Sequence, residues 1–354
     1  MSVGWAGRVG QNGAAAKPVA AVCNQALRAT IPTMPLPRRT ALLAVTLAAA
    51  SPGLRAQAPR AIRLIVPFTP GGSTDILARA LAPRLALALG QTVIVDNRPG
   101  VGGSLGAAEA AKAEPDGHTL LMGHIGTLAV NPALYPKAIY DPLKSFAPVG
   151  GVARVPNVLA VPAASPARSV QQLIALAQAR PGRLSYSFGG NGSAAHIAFE
   201  YFKLRTGVFM LHIPYRGTAP SVTDLIAGQV DASFTGAPAV LPHVRSGRLR
   251  ALAVSSAQRI APLPEVPTMA ESGYPGFEAD QWNGLVAPAG VAPAWVARLN
   301  AEVNQALAHP EVAAALAAEG ALAMPGTPQA LGALIAAEIP RWREVVRAGR
   351  VKAD

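Results

Sequence analysis

From Arg63 onward, short apolar runs alternate with segments whose apolar residues recur at helical spacing. This rhythm narrows the possible folds more than any other feature of the chain. Leu64-Ile65-Val66, Val93-Ile94-Val95 and Thr119-Leu120-Leu121-Met122 have the length and side chains of strands. Between the first two, Leu77, Leu81, Leu85 and Leu89 form one helical face that ends at Gly90. Pro83 lies inside that helix and is expected to kink or split it. Ser104 to Lys112 reads as a further helix. The rhythm returns with strands predicted over 158–161, 184–187, 208–213, 232–234 and 249–254. Helices are predicted from Val170, Leu173, Ile174 and Ala177, over Ser193 to Leu204, and from Val222, Leu225, Ile226 and Val230. Past Gly290, Val296, Leu299, Val303 and Leu307 mark one helix, and Leu331, Leu334, Ile335 and Trp342 a second. Such alternation predicts parallel-rich sheets covered on both faces. Two α/β units with a helical tail predict two lobes that face one another.

The N-terminus stands outside this pattern. Pro37-Arg38-Arg39 is a basic segment, Thr40 to Ala50 an apolar one, and small residues follow up to Ala56-Gln57-Ala58. That order reads as a signal peptide over 34–58, cleaved after Ala58 or Ala56. Residues 1–33 have no period and read as a non-native extension ahead of a start at Met34. Residues 1–58 contain six Lys or Arg and no acid, so the formal charge of +12 falls by six, to +6, without them. The remaining basic residues are dispersed, which argues against nucleic acid as a partner. The lone Cys23 also falls in the removed part, leaving no disulfide framework and no thiolate site. The expected product is periplasmic, monomeric and free of cofactor and metal. Its expected boundaries are 59–155 with 282–354 for one lobe and 156–281 for the other.

Three glycine-rich segments each join a predicted strand to a predicted helix. The first is Phe68-Thr69-Pro70-Gly71-Gly72-Ser73-Thr74-Asp75. Glycines there allow positive φ and close approach to a ligand, and Ser73 or Thr74 can cap the helix. The free N–H groups of the first helical turn then suit an anion. The second is Gly189-Gly190-Asn191-Gly192-Ser193, and the third Arg98-Pro99-Gly100-Val101-Gly102-Gly103-Ser104. Three such loops in one chain predict a site built from backbone donors on both lobes.

Enzyme motifs fit less well. Gly102-Gly103-Ser104-Leu105-Gly106 matches the G-x-S-x-G nucleophile elbow, but Asp96 to Gly100 separate it from its strand. Gly190-x-Gly192-x-x-Ala195 fits a loose dinucleotide fingerprint, but the acid expected after the next strand is missing. No G-K-[ST] follows any of these glycines, and the six histidines lack metal-ligand spacing. Of the histidines, His124 and His196 lie near candidate loops.

The segment Arg63-Leu64-Ile65-Val66-Pro67-Phe68-Thr69-Pro70-Gly71-Gly72-Ser73-Thr74-Asp75 resembles the opening of the Bug receptors, the substrate-binding proteins of tripartite tricarboxylate transporters. The likeness continues through Val95-Asp96-Asn97-Arg98-Pro99-Gly100, Pro115-Asp116-Gly117-His118-Thr119-Leu120, His212-Ile213-Pro214-Tyr215-Arg216-Gly217 and Leu263-Pro264-Glu265-Val266-Pro267-Thr268, covering essentially 60–350. The resemblance implies a type II periplasmic binding fold: two α/β lobes, a ligand cleft, and two crossover strands near Val149–Val161 and Glu278–Val286. It implies that the Phe68–Asp75 and Gly189–Ser193 loops hold a ligand carboxylate, partly through ordered waters. His196 and Tyr215 complete the expected binding set. The implied partners are a small organic carboxylate and a large and a small integral-membrane transporter subunit. Two other readings stay open: a periplasmic sensor docking on a signalling partner, and a secreted hydrolase using Ser104.

Overall fold

The computed structural model describes residues 60–135 and 139–352. The expected extension over 1–33 and signal peptide over 34–58 lie outside the described residues.

The first sheet contains β1 (Ile62–Val66), β2 (Val93–Asn97), β3 (Thr119–His124), β4 (Phe146–Val155), β10 (Gln281–Pro288) and β11 (Leu322–Ala323), in the order β11-β4-β10-β3-β1-β2. Alternation along β1 explains its near-continuous apolar run. Leu64 joins a core with Leu77, Leu81 and Leu85, while Ile65 faces a second core with Ala107, Ala110 and Leu128. Helix α1 (Ser73–Leu89) covers one face and ends at Gly90 in the left-handed conformation. Pro83 does not split α1, contrary to expectation. The residue is exposed, and on a helix's wet side a lost carbonyl partner is replaced by water. Helix α2 (Ser104–Ala111) covers the other face, followed in the chain by the short α3 (Asn131–Leu134).

The second sheet contains β5 (Asn157–Pro162), β6 (Ser185–Phe188), β7 (Leu211–Pro214), β8 (Ala232–Gly236) and β9 (Leu249–Val254), in the order β7-β6-β8-β5-β9. Helices α4 (Val170–Ala179), α5 (Ala194–Thr206), α6 (Thr218–Ile226) and α7 (Ala237–Arg245) belong to this part of the chain. After β10 come α8 (Pro293–Ala308), α9 (Pro310–Ala318) and α10 (Pro328–Ala348).

Both sheets share one plan: second strand, first, third, a strand arriving from the other sheet, then the fourth. The arriving strands are β10 and β5, and each runs antiparallel to both its neighbours. The sheets are therefore mixed, not parallel-rich. Only the βα units pair in parallel, β1 with β2 and β3, and β6 with β7 and β8. The chain crosses between sheets at Pro156, between β4 and β5, and returns near Ala279, whose N–H still bonds Ser255 O before β10 begins. This is the two-lobe α/β architecture with its two crossovers. The strand expected over 208–213 is displaced to Leu211–Pro214, because its ladder starts only at the Leu211 N–H to Leu184 O bond.

Helix α10 joins both units. Leu331, Ile335 and Trp342 lie in one apolar cluster with Phe199 and Phe202 of α5. The indoles of Trp282 and Trp342 both donate to buried Glu338 Oε2, at 3.3 and 2.7 Å.

Gly106 sets how closely α2 approaches the sheet. A Cβ there would lie 2.6 Å from Arg98 O and 3.0 Å from Pro67 Cα, both backbone atoms. The G-x-S-x-G pattern thus has a packing origin at its last glycine. Gly106→Ala should destabilise the fold by roughly 1–3 kcal/mol through overpacking, read as a lower urea midpoint at unchanged m-value.

Candidate functional site

Four strand-to-helix loops end at one cavity of ≈ 580 Å³. Phe68 and Thr69 come from the β1–α1 loop, and Pro99 to Gly103 from the β2–α2 loop. Gly189, Gly190 and Asn191 come from the β6–α5 loop, and Tyr215, Arg216 and Gly217 from the β7–α6 loop. Tyr135 completes the wall. Each loop passes from the carboxyl end of a strand to the start of a helix, where ligands of open α/β sheets bind. Two loops belong to each sheet.

The loops touch across the cleft with no room for a side chain. A Cβ on Gly102 would lie 2.0 Å from Asn191 O, and one on Gly217, at φ +128, would lie 1.9 Å from Thr69 Oγ1. Tyr135 Oη donates to Asn191 O at 3.2 Å. Gly72, at φ −86, needs no left-handed backbone, but its Cβ position is 3.3 Å from Thr218 Oγ1 at the start of α6. The N-termini of α1 and α6 therefore meet directly.

Phe68, Thr69, Gly189, Gly190, Asn191 and Tyr215 of the expected set line the cavity. Pro70, Gly71, Gly72, Ser73 and Thr74 are not on its wall and form the entry to α1 behind it. Gly72 is the N-cap, and neither Ser73 nor Thr74 caps the helix. Asp75 turns inward: its carboxylate accepts from the Gly71 N–H at 3.0 Å, and from Arg79 and Asn97. Burial pulls this carboxyl up, but bonds from Arg79, Gly71 and Asn97 outweigh it and hold it below the usual range. Gly192, Ser193 and His196 are likewise committed to each other. Ser193 Oγ accepts from His196 N at 3.3 Å, and His196 Nδ1 from Gly192 N at 3.2 Å. The His196 ring stacks on Phe188 at 4.2 Å. Asp75, Ser193 and His196 thus shape the loops and are absent from the cavity wall.

The expected set left out Pro99 to Gly103, Tyr135, Arg216 and Gly217. The third loop carried the same glycine signal as the other two. Ser104 is buried and its Oγ accepts from Asn131 Nδ2 at 2.9 Å, an amide that cannot serve as a base. Among the described residues, no group of three or more His, Cys, Asp or Glu is placed to hold a metal. No described helix is long and apolar enough to cross a membrane.

A model of the tripartite tricarboxylate transporter family receptor matches residues 77–350. The chain belongs to this receptor family. It is 46% identical to the protein BugT of Bordetella pertussis over 289 residues, covering 81% of this chain and 89% of BugT. A protein of R. palustris solved with adipate superposes with a TM-score of 0.81 at 39% identity, over 84% of this chain and all of that one. MatC from Rhodopseudomonas palustris, solved with bound malate, gives 0.78 at 35% identity, over 81% of this chain and 99% of MatC.

In this receptor, a buried polar lattice lies beneath the cleft and ties its floor to both crossovers. Phe68 meets the His124 ring edge-on at 4.9 Å. His124 Nδ1 accepts from Gly126 N at 2.9 Å, which assigns the proton to Nε2, bonded to Gln281 Oε1 at 3.1 Å. Burial lowers the His124 pKa to about 4, so the ring is neutral. Gln281 Nε2 reaches Asn157 Oδ1 at 3.1 Å, and Asn157 Nδ2 reaches Ala279 O at 2.6 Å. Gln281 and Asn157 are the first residues of the two arriving strands.

Asp280 adjoins this lattice and accepts from Ser255 Oγ, which itself accepts from Asn157 N. Burial raises the Asp280 carboxyl from 3.8 to about 6, against the opposing pull of Ser255, Arg154 and Arg341 and with a push from Glu278. The folded state binds this proton more tightly than the unfolded state, so stability from Asp280 falls as pH rises from about 4 to 6. Asp280→Asn keeps the acceptor and removes the charge. It should stabilise the receptor at pH 7 on the order of 1–3 kcal/mol, with the gain vanishing near pH 4. His124 has a lowered pKa and acts in the opposite sense, losing stability as pH falls below 6.5. That slope is common to both proteins and cancels in their difference, which urea titrations at several pH values measure.

Gly217 tests the clamp itself. Gly217→Ala should destabilise the ligand-free receptor by roughly 1–3 kcal/mol, because a residue with a Cβ is strained at φ +128. It should also abolish ligand-induced stabilisation, because the added methyl would lie 1.9 Å from Thr69 Oγ1. Retained stabilisation by ligand would show that the two loops need not approach this closely.

Proposed function

We propose that this chain is an exported receptor that captures a small organic carboxylate in the cleft and delivers it to a tripartite transporter. The observation that carries the reading is the convergence of the four loops that lead into α1, α2, α5 and α6 on a cavity whose described wall carries no acidic residue. Each helix start presents N–H groups without intrahelical partners and a partial positive charge. One such end contributes about 0.3–1 kcal/mol when exposed and up to about 2 when partly buried. Several acting on one carboxylate supply much of the roughly 8 kcal/mol of a micromolar site. The wall donors belong to Phe68, Thr69, Gly189, Gly190 and Asn191, with the Tyr215 ring beside them. Pro70 to Asp75, Gly192, Ser193 and His196 hold the loops in place. The solved relatives with adipate and malate support the ligand class.

In this reading, 34–58 is the cleaved export signal, and the lobes comprise 59–155 with 282–354, and 156–281. A large and a small membrane subunit receive the ligand, and the chain itself catalyses no reaction. Ser104 bonds to an amide, which favours receptor over hydrolase.

Ligand-free receptor, refolded after denaturant washing, should gain melting temperature with one or more acids from a panel of aliphatic mono-, di- and tricarboxylates. Stabilisation by mass action is about 2.7 kcal/mol at ligand concentrations 100-fold above Kd. A flat response across the panel, with bound acid also absent from native mass spectra of freshly isolated protein, would overturn the carboxylate assignment.

A further inference from the structure

A second cavity, of ≈ 550 Å³, shares no lining residue with the cleft. It lies beside both crossovers. Arg154 comes from the end of β4, Asp280 immediately precedes β10, and the segment from Ser256 to Pro262 follows β9. Leu322 of β11 adds apolar wall and is 61% exposed. The cavity carries charges of both signs that do not neutralise one another. The partly buried Asp280 carboxylate accepts from Ser255 Oγ and has no described cation within salt-bridge distance. Arg154 and Arg341 act on it only as more distant charges. Arg341 is engaged elsewhere, donating to Glu338 Oε1 at 2.9 Å and to Glu278 O at 2.6 Å. Arg154 is exposed and makes no hydrogen bond or ion pair to a described residue. Arg259, on the same wall, is by contrast paired with Glu271.

We propose that this cavity is a second ligand site that takes an aliphatic α-amino acid as its zwitterion, with the ammonium on Asp280 and the carboxylate on Arg154. The proposal goes beyond the carboxylate reading of the cleft and does not depend on it. A carboxylate withdrawn from water without a cation beside it is costly to ionise. Burial and the nearby Glu278 charge raise the Asp280 pKa to about 6, against the opposing pull of Ser255, Arg154 and Arg341. An ammonium supplies the missing partner through charge-assisted hydrogen bonds, and Arg154 offers the same to a carboxylate. Asp280 and Arg154 stand too far apart to satisfy each other. A ligand that carries both charges satisfies both at once, whereas a plain amine or a plain acid leaves one of them unmatched. The volume falls within the roughly 300–1,000 Å³ of small-molecule pockets. Ile260, Pro262 and Leu322 on the wall suit an aliphatic side chain.

The test is calorimetric titration of the ligand-free full chain with L-alanine, L-valine and L-leucine. Two truncated probes accompany them: 3-methylbutylamine, which is leucine without its carboxylate, and 4-methylpentanoate, which is leucine without its ammonium. The native receptor should bind at least one amino acid. Asp280→Asn should weaken that binding about tenfold or more, as expected for one charge-assisted contact. Arg154 is exposed, so Arg154→Gln should cost less, up to about fivefold. Asp280 must be ionised to hold an ammonium, so native affinity should fall about tenfold from pH 7.5 to pH 5, across its pKa of about 6. That pH dependence should vanish in Asp280→Asn. Circular dichroism and melting temperatures check that both variants fold, and the pH series on the native chain stands without them. Failure of every amino acid to bind, binding undiminished in Asp280→Asn, or native affinity that is flat from pH 7.5 to pH 5 overturns the proposal and leaves the carboxylate reading of the cleft intact. So does a truncated probe that binds as tightly as leucine and loses that affinity in Asp280→Asn, since one charge would then suffice.

Discussion

The structure depends on what a polypeptide must do where a strand hands over to a helix. The first turn of every helix carries N–H groups with no partner inside the helix. At most helix starts a side chain or water satisfies them, as Ser169 does for α4 and Thr327 for α10. At α1, α2 and α6 no side chain caps the helix. Those starts face the cleft, along with α5, whose Ser193 cap bonds His196 N. Helices α3, α7 and α8 also lack a side-chain cap, so what sets the cleft apart is the shared strand order of the two sheets, which brings four strand-to-helix loops together at one cavity.

Close approach is the second requirement, and glycine supplies it for two different reasons. At Gly102 and Gly217 the φ is positive and the space is filled by backbone or side chain of the opposite loop. At Gly72 the backbone is ordinary and only the space matters. Behind the loops, neutral groups transmit position without charge. Gln281 and Asn157 are amides, and His124 is held uncharged by burial. A charged lattice at this depth would require its own counter-ions and would compete with the field at the cleft.

Much of this was legible in the sequence because it rests on periodicity and on glycine. The strand–helix alternation and the three loops are read directly, and the family resemblance added the crossovers. Helix α7 was not read, since Pro238 and Pro242 look like breakers, yet one sits in its first turn and the other within its nine residues. Helix α9 was not read, since its alanines give no sharp stripe and only Val312 and Leu316 are buried. Within the site, Ser73-Thr74-Asp75 looks like an anion-facing cap. Only geometry reveals that Asp75 bends back to Gly71.

The same charges that make a ligand site make closure conditional. In the arrangement described, α1 and α6 meet start to start, with Arg216 beside them. Bringing like partial charges together in a cleft that excludes water is costly, and the cost grows as the local dielectric falls. An anion between them reverses the sign of that interaction. In the proposed receptor it would bind a closed form with contacts from both lobes and an open form with contacts from one. The difference in affinity is the only lever by which a ligand can shift the open–closed equilibrium. Moving that balance from 1:99 to 99:1 takes about 5.5 kcal/mol of differential binding. Helix ends worth about 1–2 kcal/mol each, added only on closure, are of the right size to supply it when several act together with one full charge.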